Sequence, residues 1–152
     1  MVGNGGGWPQ SLDDVVAAVE HFRPDVLVGH SAGGHLALLA GKRTGTPVVA
    51  VAAVCDPGTW DHAGVAAFFG GAPPPEGSPL HSSPLGVPVV LVHGALDDVV
   101  PLEQSERLAV ATGARLVALE GTDHFQPIDP QSPAWTAIRD AVDFLAARSS
   151  SS

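Results

Sequence analysis

Apolar residues recur at Leu12, Val15, Val16, Val19 and Phe22, a spacing of three and four that predicts an amphipathic helix. Ser11 stands where it can cap that helix, with Asp14 three residues on in a capping-box arrangement. Arg23-Pro24 stops it, because the residue before proline avoids helical geometry. The pattern then changes. Asp25-Val26-Leu27-Val28-Gly29 is a short apolar run with no polar alternation, read as a buried strand that leads straight into Ser31. Leu36, Leu38, Leu39 and Ala40 predict a buried helix over 33–42, closed near Gly45. Pro47 to Val54 is a continuous Val/Ala run, the kind that fills a parallel strand covered on both faces.

Residues 55–86 are less regular. Pro57-Gly58, Gly70-Gly71, the prolines at 73–75 and Ser82-Ser83-Pro84 break them up, with a short helix predicted around 64–69. Val87 to His93 is a third strand, Leu102 to Ala111 a helix ending at Gly113, and Arg115 to Leu119 a fourth strand. Ser132 as cap and Pro133 at the first helical position open a last helix over 133–147, with Trp135, Ile138, Val142 and Leu145 on its face. Alternating continuous apolar strands and helices predict an α/β fold with a mainly parallel sheet of about four strands. No internal repeat and no second domain is evident, so residues 1–148 read as one domain. Ser149 to Ser152 read as a disordered serine tail.

Composition narrows the function classes. A hydrophobic fraction of 45% with only 15% charged residues is a globular balance, not that of a disordered chain. The net charge of −9, with seven scattered basic residues, argues against nucleic acid and anionic membrane surfaces, which need clustered Lys and Arg. A single cysteine, Cys55, excludes an internal disulfide and a cysteine metal cluster. No apolar run is long enough to span a bilayer. The start, Met1-Val2-Gly3-Asn4, lacks the basic and apolar regions of a signal peptide, so a cytoplasmic location is expected.

The strongest chemical signal is Gly29-His30-Ser31-Ala32-Gly33-Gly34, a G-x-S-x-G run between a predicted strand and a predicted helix. A sharp turn there holds the serine in strained geometry, so the positions two before and two after it are expected to be free of side chains. In a chain with 18 glycines the pattern alone also arises by chance or as a packing turn. A serine nucleophile needs a base, and the base an orienting acid. Catalytic groups of parallel sheets gather at the carboxyl ends of the strands. The third strand ends in His93-Gly94-Ala95-Leu96-Asp97-Asp98, the fourth in Glu120-Gly121-Thr122-Asp123-His124. Ser31, Asp97 and His124 are therefore the candidate nucleophile, acid and base, and the Ala32 amide a candidate oxyanion donor. No metal or organic cofactor is expected. His30, His35 and His93 read as packed structural residues, His21, His62 and His81 as surface or loop residues. Cys55 reads as a small buried hydrophobe beside Asp56 at the end of the second strand.

These stretches resemble the α/β-hydrolase superfamily, in particular its esterase and kynurenine-formamidase-like branch. The likeness rests on Gly5-Gly6-Gly7-Trp8-Pro9, the serine elbow, Ser83-Pro84, the loop from His93-Gly94 to Val100-Pro101, and Gly121 to Phe125. It implies that the aspartate four residues after the His-Gly histidine, Asp97, is the acid, and that Asp98 points elsewhere. The implied activity is cleavage of small carboxylic esters through an acyl-enzyme, with an arylformamidase-type amidase as the alternative.

The resemblance also implies earlier strands and a His-Gly-Gly loop that supplies a second oxyanion amide. Neither precedes Gly5 here, so the chain reads as an N-terminally short member, and a catalytically incompetent fragment is a further alternative. One missing oxyanion donor costs about 2.7 to 4 kcal/mol in the transition state. The glycines at 5–7 are the one flexible segment that could offer amides in its place. The strand ending at Val28-Gly29 becomes an apolar sheet edge, which predicts a homodimer through that edge, poor solubility or a separately supplied partner segment. Right-handed crossovers put the connecting helices on one face, leaving mainly the last helix for the other.

Overall fold

The computed structural model describes residues 6–150, with no account of the side chains of 149 and 150. The elements in chain order are α1 (Gln10–Phe22), β1 (Leu27–His30), α2 (Ala32–Thr44), β2 (Val48–Val51), α3 (Ala63–Phe69), β3 (Val89–Gly94), α4 (Leu102–Thr112), β4 (Arg115–Leu119) and α5 (Trp135–Ser150). The four strands form one parallel sheet in the order β1-β2-β3-β4. The chain is thus α/β, as its apolar pattern predicts, and its strands all end at the same edge.

Period-two geometry explains the two-sided core. Val48 and Ala50 of β2 face α2 and α4, packing with Leu38, Leu91 and Leu108. Val49 and Val51 face the other way and meet Ile138, Ala141 and Leu145 of α5, together with Val90 and Val92. α1 lies outside α2, with Leu12 against Leu39 and Ala40. So α1, α2 and α4 cover one face and α5 covers the other, the arrangement that right-handed crossovers require. β2 is buried throughout and β3 from Val90 onward, whereas β1 and β4 are the edge strands and Val28 of β1 is 50% exposed. Leu38, Leu91, Leu108 and Leu145 are all fully buried, and truncating any of them to alanine costs about 2 to 5 kcal/mol.

Several local expectations fail for local reasons. Ser11 does not cap α1, which begins at Gln10 behind Pro9 without a side-chain cap. Its Oγ instead accepts the Gly7 amide at 3.1 Å and closes the turn leading in. Phe22 does not join the buried face but is 78% exposed. It is the last helical residue before Arg23 turns left-handed (φ 50), and its ring meets His21 edge-on. Pro133 does not open α5, which starts at Trp135 after a turn in which Ser132 Oγ accepts the Ala134 amide. The helix then runs on to Ser150, two residues into the serine tail, so Ser149 and Ser150 are helical rather than disordered, and residues 151–152 lie outside the described residues.

Candidate active site

Ser31 sits between β1 and α2 with φ 58 and ψ −117, a backbone region that a side chain occupies only under strain, at about 1 to 3 kcal/mol. The end of β2 holds it there: the Ser31 amide donates to the Val51 carbonyl at 2.9 Å, and its own carbonyl accepts from Val54 and His35. Steric demand falls unevenly on the flanking glycines. A Cβ on Gly29 would lie 2.2 Å from the Gly33 carbonyl oxygen, so only glycine fits. A Cβ on Gly33 would meet nothing within 4 Å, contrary to the expectation for that position. The crowded partner is Gly34, where a Cβ would come within 2.6 Å of Ala53 Cβ. Ala32 to Gly34 open α2, so their amides lack intrahelical acceptors and the positive end of the helix dipole lies behind Ser31.

Asp97 and His124 are brought together. His124 Nδ1 donates to Asp97 Oδ2 at 2.7 Å, which leaves Nε2 of the neutral ring as an open acceptor. Asp97 Oδ1 accepts the amides of Val99 and Val100 at 2.9 and 2.8 Å, and the carboxylate is fully buried. Asp98 is exposed, as the resemblance implies. Asp123 Oδ1 accepts the amides of Phe125 and Gln126, and Gln126 Oε1 accepts the Asp123 amide, locking the turn that carries His124. Gly94 makes room for that turn: a Cβ there would stand 2.2 Å from the Thr122 carbonyl oxygen.

Two histidines read as structural stand closer to this chemistry than expected. His30 Nε2 donates to the backbone carbonyl of His124 at 2.8 Å, and the two rings lie 4.6 Å apart. His93 Nε2 donates to the Val100 carbonyl at 2.8 Å and lies 3.3 Å from Asp97 Oδ2, while its Nδ1 accepts from Ser105 Oγ. Burial lowers the pKa of both rings, and of His35, whose Nε2 donates to the Gly77 carbonyl. Ser31 Oγ and His124 Nε2 form no hydrogen bond with each other among the described residues; such bonds commonly tighten only when substrate is present. The glycine segment offers no established amide: Gly5 lies outside the described residues, Gly6 is exposed, and Gly7 donates to Ser11.

Cys55 is buried and its thiol is pushed up to about 12 by desolvation, which fits an inert small hydrophobe. Asp56 is held by Arg107 at 3.1 Å and by Ser78 and Thr59 hydroxyls. Gln104, unremarked in the sequence, clamps the same stretch, accepting the amides of Cys55 and Asp56 and donating to the Asp56 carbonyl and Thr59. Its signal is only its place on the inner face of α4. The clamped stretch leads into a cavity of about 290 Å³ lined by Ala32, His35, Trp60, Val65, Phe68 and Phe69 among others. No group of three or more metal-ligating side chains gathers among the described residues.

Comparison with known proteins identifies the family and the fold. The model of the alpha/beta hydrolase family matches residues 3–88, more than half of the chain. The chain belongs to the alpha/beta hydrolase family. Many solved structures share the hydrolase fold. One is a truncated form of a carbohydrate esterase from gut microbiota, at 22% identity and a TM-score of 0.75, over 95% of this chain and 70% of that one. Another is the esterase domain of a Rhodothermus marinus protein, at 20% identity and a TM-score of 0.67, over 97% and 72%. A third is a monoacylglycerol lipase from Paleococcus ferrophilus, at 17% identity and 0.65, over 94% and 76%. No curated protein sequence matches the hydrolase chain. No described helix is long and apolar enough to cross a membrane.

Proposed function

We propose that this α/β-hydrolase cleaves small carboxylic esters through an acyl-enzyme on Ser31. The observation that carries the reading is the buried Asp97–His124 pair at 2.7 Å, tied through His30 to the strained turn that bears Ser31. His124 Nε2 takes the Ser31 hydroxyl proton as Oγ attacks the carbonyl carbon. Asp97 fixes the tautomer and steadies the imidazolium that results. The tetrahedral oxyanion receives the Ala32 amide at the start of α2. The bond to the alkoxy oxygen then breaks, and His124 returns its proton to the departing alcohol. Water, deprotonated by the same imidazole, releases the acid and restores the serine. No metal or organic cofactor takes part. Two esterases and a monoacylglycerol lipase stand among the solved structures that share the fold, which supports the ester reading.

The test is intact mass after treatment with a fluorophosphonate probe, on the wild type and on Ser31→Ala. A shift in the first and none in the second is expected. Folded protein that takes no label would sink the proposal, and the incompetent-fragment reading would replace it.

A further inference from the structure

Among the described residues the cavity beside Ala32 is lined by residues between 32 and 69, and no residue of the acid loop after β3 or the base loop after β4 lines it. Its lining is almost wholly apolar, and its walls are rings. Trp60 stacks on His62 with centroids 4.3 Å apart and planes within 9°. Phe68 and Phe69 each meet the His35 ring edge-on. The walls are anchored: Trp60 Nε1 donates to the Val99 carbonyl, and Gln104 clamps the chain leading to it. An apolar cavity of about 150 Å³ is enough to hold benzene. At about 290 Å³ this one has room for roughly twice that, a phenyl ring with a short linker or a two-ring group.

Which part of an ester would enter follows from the proton. The leaving oxygen must sit where His124 can protonate it, and His124 is not part of this cavity. Ser31 does not line it either, but Ala32, the next residue, whose amide would face the oxyanion, does. Resting on the reading of Ser31 as nucleophile, we propose that the cavity receives the acyl group, and that the preferred substrates are esters of compact arylalkanoic acids rather than of acetic or long-chain fatty acids.

The test compares kcat/KM for p-nitrophenyl acetate, 3-phenylpropanoate and dodecanoate, which share one leaving group. One methylene in an apolar pocket is worth about 10- to 200-fold. The 3-phenylpropanoate should therefore exceed the acetate by at least about tenfold, and the dodecanoate should fall below it. Val65→Phe, which fills the cavity, should cut the phenylpropanoate-to-acetate ratio by about tenfold or more. Phe68→Ala, which widens it, should shift preference toward longer acyl chains. The two variants push in opposite directions, so a folding defect does not mimic the pair. A flat series, or ratios unmoved by both variants, overturns the assignment and leaves the hydrolase standing. A preference for phenyl acetate over ethyl acetate that Val65→Phe abolishes would seat the leaving group there and also overturn it.

Binding is read apart from catalysis by tryptophan fluorescence of Ser31→Ala titrated with 3-phenylpropanamide. Saturable binding, weakened about tenfold or more by Val65→Phe, is expected. If that holds while the wild type cleaves no ester, the cavity binds arylalkanoyl groups but the reading of Ser31 as nucleophile falls, and the acyl-site assignment with it. Absence of both binding and turnover overturns both.

Discussion

His30 and His124, 94 residues apart, are joined by a hydrogen bond of 2.8 Å from the His30 ring to the His124 main chain. A carbonyl only accepts, so His30 carries its hydrogen on Nε2, and the residue next to Ser31 holds the backbone of the candidate base. His30→Phe keeps a ring against His124 and removes the donor; His30→Gln keeps a donor near the same place. Since misplacement by an ångström costs up to about a hundredfold, His30→Phe should lower kcat by roughly 10- to 100-fold with little change in KM. His30→Gln should recover most of it. Equal rates in all three proteins would remove His30 from the positioning of His124.

Asp97→Asn should be more severe. An amide cannot accept two backbone N–H groups and His124 Nδ1–H with the strength of a carboxylate, and it favours the wrong imidazole tautomer. A loss of roughly 10³- to 10⁴-fold in kcat is expected, with the fold kept. Circular dichroism and steady-state rates measured together check it; a variant within tenfold of wild type would mean that another group orients His124.

The two glycines flanking the elbow should behave oppositely. Gly29→Ala drives a methyl into the Gly33 carbonyl and should destabilise by at least about 1 to 3 kcal/mol, or prevent folding. Gly33→Ala meets open space on a helix, where alanine is favoured over glycine by about 0.5 to 1 kcal/mol, and should raise the melting temperature slightly. Thermal unfolding of the two variants decides it, and a tolerated Gly29→Ala would contradict the geometry.

Stability should fall on mild acidification. Burial lowers the pKa of His35, His93 and His30 below the ordinary 6.5, so the unfolded chain binds more protons than the folded one in that range. The stability these neutral rings contribute is complete above pH 6.5 and is lost as pH falls through their lower folded values. The urea midpoint at pH 5.5 should thus lie below that at pH 7.5. A midpoint that does not move would show that these rings titrate normally.

Much of the site is legible in the sequence, because parallel strands deliver their carboxyl ends to one edge and G-x-S-x-G marks which end carries the serine. Asp97 and His124 follow from order along the chain and from lying just past strands three and four. What escapes are contacts set by tertiary approach. Gly29 and Gly33 look alike in the motif, yet only the backbone of α2 reveals that Gly29 and Gly34 are the crowded pair. His30 stands at the motif's free position, and nothing local announces that its ring reaches a carbonyl beyond β4. Gln104 and Arg107 look like ordinary helix-surface residues until α4 packs beside the end of β2. The starts of α1 and α5 are each misplaced by two residues: α1 begins at Gln10, ahead of Ser11, and α5 at Trp135, beyond Pro133.

β1 and β4 occupy opposite edges of the sheet, three strand spacings or about 14 Å apart, and the turn bearing His124 crosses over side-chain-free Gly94 to bridge them. The earliest and latest strands must therefore both be in register before serine and imidazole share a neighbourhood. A nascent chain that has made the elbow and its helix holds no part of the base, and closing so long a loop is among the slower events of folding. On the proposed mechanism, the site exists only once the topology is complete, so a half-made copy would be inert by construction.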